Sequence, residues 1–103
     1  MSPPTPTPEP GQLADEIADA VLAHPAVARL DGGPFGVVAT LVPGRKVIGV
    51  TVDESAGAVE IAVVLLAGNP IPAVVAELRE RVRAISGAGA VDVTVTDIVD
   101  GDA

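Results

Sequence analysis

The sequence predicts a small α+β sandwich in the order α-β-β-β-α-β, with two helices packed on one face of a mostly antiparallel sheet. Three observations carry this expectation. Apolar residues recur about every 3.6 positions from Ile71 to about Ile85, the mark of an amphipathic helix. From Val91 to Ile98 they alternate with period two, as in a strand with one covered face. Ala58 to Leu66 holds no polar residue except Glu60, the pattern of a strand central in its sheet.

Taken in order, the chain opens with Ser2 to Gly11 (SPPTPTPEPG), too rich in proline for a helix or a central strand. Residues 1–11 therefore read as an extended tail, 12–99 as a single domain and 100–103 as an acidic C-terminal tail. Thr5-Pro6 and Thr7-Pro8 also fit kinase targets or a PxxP ligand, though a leader without a partner is the simpler reading. The first helix is expected from Leu13 to Ala23, with Leu13, Ile17, Val21 and Leu22 on one side and Asp15, Glu16 and Asp19 on the other. Acidic residues in its first turn suit the helix dipole, and Pro25 ends it. Ala26 to Leu30 reads as a short strand or extended link, and Asp31 to Pro34 as a turn.

A β section follows. Strands are expected at Val37–Val42 and Val47–Val52, joined by a type II turn at Pro43-Gly44. Ile48, Val50 and Val52 should share a face. Asp53 to Gly57 is a polar turn before Ala58–Leu66, and the short connections make this meander antiparallel. The second helix should bury Ile71, Val74, Val75, Leu78, Val82 and Ile85. It should expose Glu77, Arg79, Glu80, Arg81 and Arg83, with Glu77 and Arg81 at i, i+4 spacing. Gly87 reads as the left-handed residue that ends it. In the last strand, Val91, Val93 and Val95 point inward.

Composition narrows the function classes. A chain of 103 residues with a formal charge of −8 and 14 acidic against 6 basic residues opposes phosphate, so no nucleic-acid partner is expected. The single aromatic, Phe35, removes stacking on bases or sugars and reads as a core anchor. The absence of cysteine removes disulfides and thiolate metal sites. No export signal is read at the N-terminus, and no apolar run approaches the roughly 20 residues of a membrane helix. Any association with a membrane is expected only through a partner.

The chemistry-bearing residues are sparse. His24, the sole histidine, lacks partners for catalysis or metal binding and reads as structural or solvated, at the C-terminus of the first helix. Asp92, Asp97, Asp100 and Asp102 lack a calcium-loop pattern, and counting places Asp92 and Asp97 on opposite strand faces. Gly33-Pro34-Phe35-Gly36 matches a GxxG nucleic-acid clamp only in letters. Gly87-Ala88-Gly89 follows a helix, unlike a dinucleotide loop. No catalytic residue, cofactor site or metal site is assigned. The strongest interaction patch is Arg79 and Arg83, one helical turn apart, with Arg45-Lys46 at a hairpin tip.

Three stretches resemble the alkaline shock protein (Gls-type) envelope stress response family of Gram-positive bacteria, in a short version. They are Ile17 to Val27 (IADAVLAHPAV), Gly32 to Arg45 (GGPFGVVATLVPGR) and Ile61 to Val99, including Gly68-Asn69-Pro70-Ile71-Pro72 and Val93 to Ile98. Ala26 stands where the family usually has glycine, and the basic C-terminal stretch of some longer members is missing. The resemblance implies a cytoplasmic, non-enzymatic protein, in some members held at the membrane by a separate anchor protein. The leading expectation is an interaction or scaffold protein acting by self-association or by docking to a membrane-anchored partner, motivated by open sheet edges. A small-molecule-binding regulatory domain is the alternative, although no pocket with converging polar groups is visible.

Overall fold

The computed structural model describes residues 10–33, 35–36, 38–42 and 44–101, with Pro10 and Arg45 described by their backbones alone. The elements are α1 (Pro10–Leu22), β1 (Val27–Leu30), β2 (Ala39–Val42), β3 (Arg45–Ile48), β4 (Val50–Asp53), β5 (Ala58–Leu66), α2 (Ile71–Ser86) and β6 (Ala90–Val99). This is the expected α+β class, with two strands more than the sequence pattern predicts.

β5 is the spine of a four-stranded sheet. Along one edge β4 pairs antiparallel with its first half, Val50 opposite Ile61 and Asp53 opposite Ala58. β1 pairs antiparallel with its second half, Val27 opposite Leu65 and Leu30 opposite Val63. Along the other edge β6 runs parallel to β5, from Ala58↔Ala90 to Leu66↔Val99. A parallel neighbour requires a long crossover, and α2 supplies it.

β1 and β4 meet end to end at Ala62. Its C=O accepts from Asp31 N–H at 2.9 Å, and its N–H donates to Gly49 C=O at 3.0 Å. The chain between these points leaves the sheet edge and returns to it. This excursion builds a separate two-stranded hairpin, β2 against β3, with Ala39 opposite Ile48 and Val42 opposite Arg45. The expected single meander is thus corrected to a sheet plus an arm.

Gly49 is the cause. Its φ is 88°, a left-handed conformation that glycine adopts without strain, and a Cβ there would stand 2.7 Å from Leu30 Cβ and 3.1 Å from Ala62 O. The expected strand Val47–Val52 is therefore cut into β3 and β4, and Ile48 parts from Val50. Val50 is fully buried, whereas Ile48 is 48% exposed. Val37 and Pro43, expected to start a strand and to form the turn, lie outside the described residues; Gly44 at φ 80° fits that turn.

One face of β5 makes the core. Val59, Ile61, Val63 and Leu65 meet Ala14, Ile17, Ala18 and Val21 of α1 and Val74, Leu78 and Val82 of α2. Fully burying one such side chain contributes about 1.5–3 kcal/mol, so these rows dominate the stability of the domain. Among the described residues, no helix covers the other face, which carries Glu60, Ala62 and Val64. α1 begins at Pro10 instead of Leu13, since proline is tolerated in the first helical turn. Its first turn therefore holds no acidic residue, contrary to expectation. α2 ends as expected, with Gly87 at φ 68° and its N–H bonded to Arg83 O. Ile71, expected inside, is 38% exposed because it starts the helix beyond the covered sheet.

β6 contains a bulge. Val63 faces Val95 but Val64 faces Asp97, so Thr96 is an extra residue, and its Oγ1 donates to Val63 O at 3.3 Å. An inserted residue shifts the alternation of all later side chains. Asp92 opposite Glu60 and Asp97 opposite Val64 consequently share the face away from the helices. The expectation of opposite faces is corrected by that one residue.

Candidate functional site

α2 places its charges on particular acceptors, several of them distant in sequence. Arg81 Nη1 donates to Ala20 O at 3.3 Å, a carbonyl of the last turn of α1 that has no helical partner of its own. Arg79 Nε donates to Val91 O at 3.1 Å. The N–H and C=O of Ala62 both point to the β1–β4 side. Alternation along β5 then sends its odd residues to β6 and leaves the Val91 carbonyl on the open edge. Arg79 therefore reaches round the sheet and caps that edge. Arg83 pairs with Glu80 at 3.3 Å and stays partly exposed. The expected Glu77–Arg81 contact is absent: Glu77 Oε1 lies 3.7 Å from His24 Nε2.

His24 is buried at 5% exposure. Its Nδ1 accepts from Ala26 N–H at 3.0 Å, which fastens the turn between α1 and β1. This geometry gives the structural role expected for it. Of the expected patch, Arg79 is half-buried and Arg83 exposed on α2, while Lys46 is exposed on β3. α2 packs on α1 and β6, whereas the hairpin packs on α1 and β4. The four cations thus form two separate groups, and the side chain of Arg45 lies outside the described residues.

The arm carries what sequence reasoning missed. Its cross-strand pairs are Ala39–Ile48, Thr40–Val47, Leu41–Lys46 and Val42–Arg45. Thr40, Val42 and Val47 occupy one face; Val47 is buried in the core, and Thr40 Oγ1 donates to Val50 O at 2.6 Å. Ala39, Leu41, Lys46 and Ile48 occupy the opposite face. There Leu41 is 80% and Ile48 48% exposed, and Phe35 at the base of the arm is 87% exposed. Phe35 is therefore not the core anchor expected of it. The available signal was apolar residues on both faces of a hairpin that can lay only one on a helix.

Two shallow grooves lie elsewhere on the described surface. One, of about 250 Å³, lies at the end of the sandwich, with Leu13, Val52, Val59 and Ala88 as its apolar lining and Asp53 and Glu54 beside them. Ser55 Oγ donates to Asp53 Oδ1 at 2.7 Å and Ala56 N–H to the same oxygen at 3.1 Å. These bonds, the hydroxyl's first, hold the Asp53 carboxyl below its ordinary pKa. The other groove, of about 230 Å³, gathers Thr51, Asp53, Glu60 and Asp92 on the open sheet face. Thr51 Oγ1 is buried there without a partner. Among the described residues, no group of three or more His, Cys, Asp or Glu is placed to hold a metal ion. No helix among them is long and apolar enough to cross a membrane.

No protein-family model matches this chain, and no curated protein or solved structure matches it either.

Proposed function

We propose that this is a non-catalytic interaction protein, acting by self-association or by docking to a membrane-anchored partner. The observation that carries the reading is the arm. Leu41 at 80% and Ile48 at 48% exposure share one hairpin face, and apolar side chains exposed together on one face mark contact sites. The likeness to alkaline shock proteins in Ile17–Val27, Gly32–Arg45 and Ile61–Val99 supports a scaffold role in the envelope stress response, in the cytoplasm. The edges, which first suggested association, support it less well. β6 is broken by the Thr96 bulge and capped by Arg79, two devices that discourage strand addition.

Chemical crosslinking in producing cells tests this reading. The wild-type chain should appear in species larger than its own 10.2 kDa, and Leu41→Ser/Ile48→Ser should return it to the single chain. Wild-type protein found only as a single chain, in cells and in concentrated solution, would remove the proposal. The regulatory-domain alternative rests on the groove beside Leu13 and Val52. At about 250 Å³ it falls short of the roughly 300–1,000 Å³ of ordinary ligand sites, so it ranks second. A thermal-shift screen with metabolites would reverse that ranking if one compound raised the melting temperature in a saturable way.

A further inference from the structure

We infer that the arm binds the arm of a second copy of this chain, face to face and antiparallel about a two-fold axis. The inference rests on the interaction reading above and names its surface and its partner. The arm is polar in its ordering of charge. Lys46 stands beside Leu41 toward the tip of the hairpin, Ile48 lies beside Ala39 at its other end, and Asp31 stands where the arm leaves the sheet. Asp31 is fixed there, since its Oδ2 accepts from Gly33 N–H at 3.0 Å while its backbone N–H bonds Ala62 O.

Such a pattern is complementary to its own reverse. Laying a second arm antiparallel on the first sets each Lys46 toward the Asp31 end of its partner and brings Leu41 of one copy over Ile48 of the other. The two contacts are then identical, so the assembly closes as a dimer instead of growing into a fibre. Parallel stacking would oppose tip to tip, putting like charges together in a chain whose cations number only six.

The open sheet face suits the arm less well. The open sheet face is acidic, with Asp53, Glu60, Asp92 and Asp97, and would attract the tip, but it has no exposed apolar row to receive Leu41 and Ile48. Ala62 and Val64, its small apolar residues, are already buried. The arm face is small against the roughly 1,200–2,000 Å² of a standard interface. The dimer is consequently weak, exchanges rapidly and loosens with added salt, because the tip-to-base pairs are exposed.

Sedimentation equilibrium of the full chain tests the inference. The wild type should approach twice the 10.2 kDa chain mass as concentration rises. Leu41→Lys/Ile48→Lys should stay at the single-chain mass with an unchanged circular dichroism spectrum. Ala76→Lys, on the exposed side of α2, should dimerise like the wild type. Lys46→Glu, a surface change that leaves the fold intact, should weaken the dimer about tenfold or more and serves if the double variant misfolds. A dimer indifferent to both arm variants would overturn the inference while leaving association through another surface. A wild type that never dimerises, yet is crosslinked in cells to a different protein through the arm, would overturn the second-copy partner and keep the interaction reading. A chain that does neither would remove both.

Discussion

Gly49 shows how a single residue decides the shape of this molecule. Its backbone occupies φ 88° where Leu30, Asp31 and Ala62 crowd in, so a side chain meets both strain and collision. Gly49→Ala should destabilise the protein by about 2–4 kcal/mol, read as a lower urea midpoint with an unchanged m-value. In the sequence, that glycine sits inside an apolar alternation that reads as one strand. Its role depends on Leu30 and Ala62, neighbours that only the fold provides. Asp53 offers a second test at the same scale. Its lowered carboxyl pKa, caused first by the Ser55 hydroxyl and then by Ala56 N–H, contributes stability above the ordinary carboxylate range. That contribution is lost as pH falls through the folded value. Ser55→Ala should move the Asp53 titration upward, toward an ordinary aspartate, in a side-chain NMR experiment. An unmoved titration would mean that the hydroxyl bond does not form in solution.

At the scale of elements, β5 and α2 were legible from the sequence because their patterns are long and consistent. Ala58–Leu66 was read to the residue, and α2 to within one residue at its C-terminal end. The inside of α2 follows the expected spacing through Val74, Leu78 and Val82. Leu78→Ala should accordingly cost about 2–5 kcal/mol by chemical denaturation. Leu41→Ala, on the exposed face of the arm, should stay within about 0.5 kcal/mol of the wild type. The arm itself was not legible, because the pattern of β3 and β4 is unbroken in the sequence although their backbones diverge. The Thr96 bulge was hidden for the same reason, as strict alternation continues through Val95 with no mark at the inserted residue. The arginines of α2 were assigned to solvent by helical spacing alone. Their acceptors, Ala20 O and Val91 O, belong to elements that spacing within α2 cannot see. Removing one of them should expose the β6 edge. Arg79→Ala should therefore cost about 0.5–1.5 kcal/mol and should aggregate sooner on mild heating, followed by light scattering. Equal aggregation of variant and wild type would show that the bulge guards that edge without help.

The molecule as a whole joins a well-packed body to a lightly held arm. The body places Ile61, Leu65, Leu78 and Val82 at 2% exposure or less. The arm is a two-stranded hairpin, an element of marginal stability by itself. It is tied in by Val47, by Thr40 Oγ1 to Val50 O, and by Gly49 N–H to Val38 O at 2.7 Å. An interaction protein benefits from this division, because the surface that meets a partner can adjust without disturbing the core. The most direct check is native-state hydrogen exchange on dilute, monomeric protein. Amides of β5 should exchange only through global unfolding, while those of β2 and β3 open at distinctly lower free energy. Equal protection of arm and spine would contradict the division, showing that the hairpin is part of the body and not an element hung from it.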